Sequence, residues 1–458
     1  MPKPKHILLI ISPILLLVYY FLIPSPLFKS SYSTILSNSD NEVIGASIAT
    51  DGQWRFPAIT KVPDKFTKAL ICFEDEYFYK HPGVNPVAFG RAFIQNIKAK
   101  RTQSGGSTIS MQIIRMSRNV KNRNIFSKLF ETIAATSLEC SYSKQEILEL
   151  YATHAPYGGN VVGLEAASWR YFARSPNKLS WAESALLAVL PNAPSLIFPG
   201  KNNAKLLAKR NRLLKKMHLK GILDKETYQL AQLEPLPQKP FPLPNQAPHL
   251  LARLKKDGHE GKRVVSSLNS QLQEQVKSII HRYNKMLADN GVHNACAMIT
   301  DIETGKVLAY IGNIEGLAKQ HSPDVDIITA KRSYGSLLKP VLYALSVDEG
   351  LCTPYSLLQD FPINIDGYCP RNFTETYHGA IFADKALAQS VNIPFVKLLK
   401  QYSTDKFLYK LRKLGLHSLN KSADYYGLSL ILGGGESTMW ELNGMYASMA
   451  RQLNHQFN

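Results

Sequence analysis

Glu74-Asp75-Glu76-Tyr77-Phe78-Tyr79-Lys80-His81-Pro82-Gly83 is the most informative window of the chain. It closes a stripe of Phe66, Leu70, Phe73 and Tyr77, whose spacing predicts a helix with one face on a core. The acidic pair Glu74-Asp75 arrives where that stripe ends, and Pro82-Gly83 stops any continuation. From Tyr77 to Phe130 there is not one Asp or Glu, whereas ten Lys or Arg occur. A basic stretch bracketed by Glu74 and Glu131 describes an anion-binding region with a carboxylate at each edge. In such a cleft cations stabilise a departing diphosphate while a carboxylate takes the proton of an incoming hydroxyl.

Within that stretch, Gly105-Gly106-Ser107-Thr108-Ile109-Ser110-Met111-Gln112 supplies a flexible loop, two hydroxyls and an amide leading into an apolar helix. Backbone amides of such loops can approach phosphate oxygens, although taken alone the stretch reads as an ordinary Gly-rich turn. His81 and Phe78 read as residues that pack the loop after Glu74, and Asp75 as a salt-bridge partner of a nearby cation. Two helix starts are announced by capping boxes, Ser143 with Glu146 and Ser180 with Glu183. Residues 201–233 read as a basic helical connector with a solvated face, its first twenty residues carrying eight Lys or Arg and no acid. The proline-rich stretch 235–244 reads as an extended spacer and a domain boundary. Beyond it the texture becomes mixed α and β, with a hairpin expected where Ala295–Asp301 and Lys306–Gly312 flank Ile302-Glu303-Thr304-Gly305.

The 458 residues exceed what one hydrophobic core serves, and the net charge of +19 calls for nucleic acid, an acidic membrane surface or a phosphorylated substrate. Residues 7–23 are apolar save for Ser12, Pro13 and two tyrosines, and follow Lys3, Lys5 and His6. That pattern predicts an uncleaved single-pass anchor over residues 1–24, N-terminus cytoplasmic and body exported, which argues against nucleic acid. The five cysteines are widely spaced and read as mostly isolated thiols, with Cys352 and Cys369 the one pair placed to bridge in an oxidising compartment.

The motifs in order resemble those of the family 51 peptidoglycan glycosyltransferases, specifically the C-type branch of bifunctional class A penicillin-binding proteins. Glu74–Gly83 resembles the first motif, Glu-Asp-x-x-Phe-x-x-His-x-Gly, at every fixed position, and Gly105–Gln112 the second. Lys128-Leu129-Phe130-Glu131 is similar to the end of the third, with Ser127 where an arginine is usual. Lys144–Tyr151, Pro156-Tyr157-Gly158-Gly159-Asn160 and Gly163 resemble the rest, with Thr153 in place of an asparagine. The resemblance implies a mainly α, lysozyme-like domain over residues 45–200 that polymerises lipid II and releases undecaprenyl diphosphate at a bacterial inner membrane, facing the periplasm. By it Glu74 is the general base, and Glu131 orients the donor or holds a divalent metal (Mg or Mn) by the diphosphate. Arg115 and Lys128 stabilise the leaving group, and Ser107, Thr108 and Gln112 place the substrate. Arg118 and Arg123 lie close enough in sequence to replace the charge missing at Ser127. No organic cofactor is implied.

A second constellation follows the linker assigned to residues 201–248. Ser336-Leu337-Leu338-Lys339 puts a nucleophile and a lysine on one face if helical, and Ser390-Val391-Asn392 follows about fifty residues on. With Arg371-Asn372-Phe373 and Leu432-Gly433-Gly434, this order resembles the acyl-serine transpeptidases and implies an α+β, serine β-lactamase/transpeptidase-like domain over residues 249–458. By that resemblance Ser336 is acylated by a stem peptide or a β-lactam, Lys339 is its base, and Ser390 and Asn392 relay protons and hold the substrate amide. No Lys-Thr-Gly or Lys-Ser-Gly occurs in the 458 residues, so the domain reads as incomplete and as a poor transpeptidase or none. The competing reading is a non-catalytic membrane-anchored scaffold that binds wall precursors or other cell-wall synthesis proteins.

Overall fold

A computed structural model describes residues 19, 21–59, 61–86, 106–118, 125–192, 194 and 196–456. The anchor expected over residues 7–23 lies mostly outside the described residues, as does Arg123. Among the described residues no helix is long and apolar enough to cross a membrane. The chain forms two compact units, one running to Gln246 and taking back Leu251–Ser266, the other made of Ala247–Leu250 and the chain from Ser267 onward.

The first unit is mainly helical. Its central helix, Trp181–Val189, starts at the Ser180/Glu183 capping box and buries Ala182 and Ala185 through Val189, so it is apolar almost all round and other helices pack about it. Against it lies helix Asp64–Glu74, which begins after Pro63 with Asp64 in its first turn and buries Phe66, Ala69 and Leu70 completely. Burial of Phe66 and of Leu70 contributes about 2 kcal/mol each of transfer free energy. Helices Ile109–Ser117, Ile125–Ser141 and Lys144–His154 complete the wall, the last starting at the predicted Ser143/Glu146 box. Strand Thr34–Ser37 pairs antiparallel with Val43–Ser47 and parallel with Arg263–Val265.

Two expectations for the middle of the chain are corrected. Helix Asn203–Leu219 is no solvated connector: it buries Leu206, Arg210, Leu213, Leu214 and Met217 and packs on both the central helix and Asp64–Glu74. Arg210 is sequestered because Nη1 donates to Glu234 O at 2.6 Å and Nη2 to Gln232 O at 3.1 Å. The stretch 235–244 is extended as expected but is no free spacer. Phe241 N donates to Arg170 O at 2.6 Å, and Leu236 and Leu243 pack on the first core. Chain beyond the prolines then returns to this unit as strand Arg263–Val265.

In the second unit the expected hairpin is present, Ala297–Thr300 pairing antiparallel with Val307–Ile311. Helix Ser270–Leu287 covers it, and the Gln273 side chain exchanges hydrogen bonds with the Tyr310 backbone at 2.8 and 3.0 Å, acting as an extra strand residue. A helical layer of Lys339–Asp348, Asn392–Tyr402 and Thr404–Lys413 surrounds Phe395, Val396, Leu399 and Phe407. All five cysteines are free, Cys352 buried and Cys369 exposed.

Candidate active sites

Glu74 is the last residue of its helix, and the backbone leaves helical geometry at Asp75. Its carboxylate is almost wholly enclosed. Oε2 accepts from Gln112 Nε2 at 2.6 Å, while the buried Oε1 has no hydrogen-bond partner among the described residues. Burial pushes the Glu74 pKa up against the opposing pull of Gln112, Arg115 and Lys209. A carboxylate held at one oxygen and bare at the other is poised to take a proton.

The loop after Glu74 is fixed by a chain of polar contacts. Buried Asp75 faces His81 Nε2 at 2.9 and 3.1 Å and accepts from Ile109 N at 3.2 Å, tying the loop to the start of the helix that carries Gln112. Thr108 caps that helix, accepting from Met111 N at 3.2 Å, and donates to Gly83 O at 2.6 Å. Lys144 Nζ donates to His81 O at 2.8 Å and pairs with Glu139 at 2.6 Å, and Glu139 accepts from Ser110 Oγ at 2.5 Å. At Gly83 φ is +89°, and a Cβ there would lie 2.5 Å from Ala135 O. The motif residues Asp75, His81 and Gly83 thus shape the loop, as the sequence suggested for His81, whereas Asp75 was read as the salt-bridge partner of a nearby cation and meets the His81 ring and Ile109 N. Gln112 holds Glu74 itself, and the Thr108 hydroxyl serves the loop.

Helix Ile125–Ser141 carries Lys128, half-buried, and Glu131, buried, one turn apart on one side. The Arg118 guanidinium stacks on the Phe130 ring at 3.9 Å, putting a cation beside the helix that has Ser127 in place of arginine. Ser107 is half-buried ahead of the Thr108 cap. Among the described residues no group of three or more His, Cys, Asp or Glu is arranged to hold a metal ion.

Lys209 was invisible in the sequence among eight cations of one basic run. The structure puts it where the charges of Lys209 and Glu74 act on each other, with Nζ donating to Asn192 Oδ1 at 2.9 Å. Removing its charge relieves a pull that lowers the Glu74 pKa, and a Glu74 that served as a base would work only when ionised. Lys209→Met is therefore expected to move the acid limb of the polymerisation pH profile to higher pH and to slow turnover about tenfold; an unmoved limb in a rate–pH series would show that Lys209 does not act on Glu74.

In the second unit Ser336 and Lys339 do not share a continuous helix. Residues 335–338 form a turn, and the helix begins at Lys339. The turn is pinned by Tyr334 Oη donating to Leu430 O at 2.8 Å and Tyr446 Oη to Leu337 O at 2.6 Å. Buried Lys339 Nζ donates to Ser390 O at 2.7 Å, Ser390 Oγ at 3.1 Å and Asn392 Oδ1 at 2.7 Å, and desolvation lowers its pKa to about 8. Ser390 sits in a left-handed conformation, φ +55°, unusual for a serine and held by these contacts. Gly433, φ +91°, lies so close that a Cβ would meet Ser333 Oγ at 2.6 Å and Gly335 Cα at 2.8 Å, so the Leu432-Gly433-Gly434 stretch backs the turn that carries Ser336.

Asn372 organises the far side. It donates to Asp360 Oδ1 at 2.8 Å and Thr376 O at 2.9 Å, and its Oδ1 accepts from Asn392 N at 3.0 Å and Ile393 N at 3.3 Å. Asn372→Ala removes the Oδ1 partner of the fully buried Asp360, whose Oδ2 keeps His378 N, and leaves two backbone amides without their acceptor. The expected cost is about 3 kcal/mol, read as a lowered melting transition of the second unit.

A Transglycosylase family model matches residues 40–218, and a Penicillin binding protein transpeptidase domain model matches residues 295–448. Penicillin-binding protein 1C of Escherichia coli (strain K12) is 34% identical over 429 residues, covering 93% of this chain and 55% of that protein. Penicillin-binding protein 1B of Haemophilus influenzae is 31% identical over 419 residues, covering 85% and 52%. The solved Penicillin-Binding Protein 1A from Haemophilus influenzae aligns with a TM-score of 0.45 at 18% identity, covering 92% of this chain and 68% of that one. The chain spans about half the length of the curated relatives it matches. A transglycosylase domain followed on one chain by a penicillin-binding transpeptidase domain makes this protein a member of the class A penicillin-binding proteins.

Proposed function

We propose that the first unit polymerises lipid II into glycan strands at the outer face of a bacterial inner membrane, held there by the anchor expected over residues 1–24. The observation that supports this reading is the enclosed Glu74 carboxylate, gripped at one oxygen by Gln112, without a partner at the other among the described residues, and flanked by Arg115 and Lys209. Glu74 takes the proton of the acceptor sugar's hydroxyl, whose oxygen forms the new glycosidic bond with inversion as the bond to undecaprenyl diphosphate breaks. The diphosphate leaves with its electron pair, and Arg115 and Lys128 balance the charge it carries away. Ser107 and Thr108 help to place the substrate, and Glu131 orients the donor. A divalent ion at Glu131, when bound, neutralises diphosphate charge. The test is glycan-chain formation from labelled lipid II by the detergent-solubilised full chain, with Glu74→Gln beside it. Absence of polymer from the folded native chain turns the reading to the membrane-anchored scaffold.

The second unit offers Ser336 as nucleophile, with Lys339, Ser390 and Asn392 as a relay that a β-lactam or stem peptide would meet. Because Lys339 must be neutral to accept a proton, whatever acylation occurs should rise with pH through about 8. Fluorescent penicillin labelling across pH, with Ser336→Ala as the blank, measures it; a flat profile would remove Lys339 as the base.

A further inference from the structure

The first unit holds a cavity of about 730 Å³ whose wall includes Arg115 but not Glu74. Four separated stretches meet there: residues 28–31, strand Trp54–Arg55 with Asp51 before it, the end of helix Ile109–Ser117 and the end of helix Lys144–His154. Arg115 belongs to both places, since its charge also acts on Glu74, so the cavity adjoins the reacting centre.

Its wall is cationic. Lys29, Arg55 and Arg115 stand against a single carboxylate, Asp51. That carboxylate is already taken, because Arg55 Nη1 donates to Asp51 Oδ2 at 2.8 Å as well as to Ser31 O at 2.6 Å. Lys29 and Arg115 make no hydrogen bond or ion pair among the described residues. His154 adds no charge, since burial lowers its pKa to about 3, and its ring stacks on Phe28 with centroids 3.5 Å apart. Two cations without partners in one hollow call for an anion. A lone phosphate leaves most of this volume empty, whereas a peptide of a few residues with free carboxylates fills it and also meets the Ser30 and Ser31 hydroxyls and the aromatic wall.

We infer that this cavity binds the acidic peptide carried by the donor sugar, so that the enzyme reads the peptide as well as the diphosphate. The inference rests on the glycosyltransferase reading: the sugar whose bond to diphosphate breaks beside Arg115 also carries the stem peptide, which offers its carboxylates to Lys29 and Arg55. Lys29 is then a residue of substrate selection and takes no part in the chemistry.

The experiment is a calorimetric titration of the detergent-solubilised full chain with muramyl pentapeptide, which has no phosphate, its carboxylates either free or amidated. The proteins are the native chain, Glu74→Gln, Lys29→Gln and, as a charge lost elsewhere, Lys178→Gln. Saturable binding of the free-carboxylate probe is expected in the native chain, Glu74→Gln and Lys178→Gln, weakened at least about tenfold by amidation of the probe or by Lys29→Gln. Lys29 is exposed, so its variant keeps the fold. In polymerisation assays Lys29→Gln should raise the KM for lipid II about tenfold with little change in kcat, and erase the difference between free and amidated lipid II. No saturable binding in the native chain, or binding that either amidation or Lys29→Gln leaves intact, overturns the inference. A KM increase in Lys29→Gln that is equal for free and amidated lipid II overturns it too, since the charge then serves the diphosphate. Peptide binding without polymer from the native chain would sink the glycosyltransferase reading and leave the peptide site standing.

Discussion

Glu74→Gln is expected to slow glycan polymerisation by about a hundred- to ten-thousandfold while leaving the fold intact, because the loss of a positioned general base removes that much. Glutamine keeps the volume and keeps a carbonyl oxygen for Gln112 Nε2, so the contact at 2.6 Å survives and only proton affinity is lost. The native pH profile carries the same signature. Burial raises the Glu74 pKa, and the base must be ionised, so activity falls as pH drops through a value above the ordinary glutamate range. The acid limb should therefore begin nearer neutrality than a solvated glutamate would give. A Glu74→Gln protein that melts like the native chain and polymerises at native rate would remove Glu74 from the chemistry.

Gly83→Ala is expected to destabilise the first unit by about 2–4 kcal/mol, combining overpacking with a left-handed backbone that a side chain resists. The new methyl would sit 2.5 Å from Ala135 O and 2.7 Å from Ala135 C, which are backbone atoms in the middle of a helix and cannot swing aside. For a unit of this size the melting temperature should fall by about 5–15 °C. Activity should fall further than stability alone dictates, since Gly83 O receives the Thr108 hydroxyl that caps the helix holding Gln112 over Glu74. Calorimetry with a parallel rate measurement separates the two effects. An unchanged transition would mean that loop and helix do not approach as described.

Much of the architecture was legible because local chemistry and tertiary demand agree. Ser143/Glu146 and Ser180/Glu183 satisfy their own helix starts, and Ile302–Gly305 turns its own hairpin, whatever surrounds them. The stripe ending at Glu74 was readable because its period matches the face it buries. The basic run after residue 201 was misread for the converse reason. Charge there signalled solvent, yet apolar residues at helical spacing among the cations bury a face, and two carbonyls on the following segment satisfy Arg210. Similarly, nothing in Ser336-Leu337-Leu338-Lys339 tells a turn from a helix, since Ser and Lys three apart suit both.

By itself the sequence determined the order of motifs, the two-part organisation, the identity of the candidate base and nucleophile, and the absence of Lys-Thr-Gly from these residues. Those are facts of residue type and spacing, which survive any packing. Only the tertiary structure decided that Gln112 holds Glu74, that Lys209 acts on it, that Asn372 sets Asn392, and that residues 251–266 return to the first unit. These join positions far apart in the chain through a hydrogen bond, a charge at short range or a three-residue strand. Each contact depends on where two helices or strands meet, and no local pattern in either partner encodes that meeting.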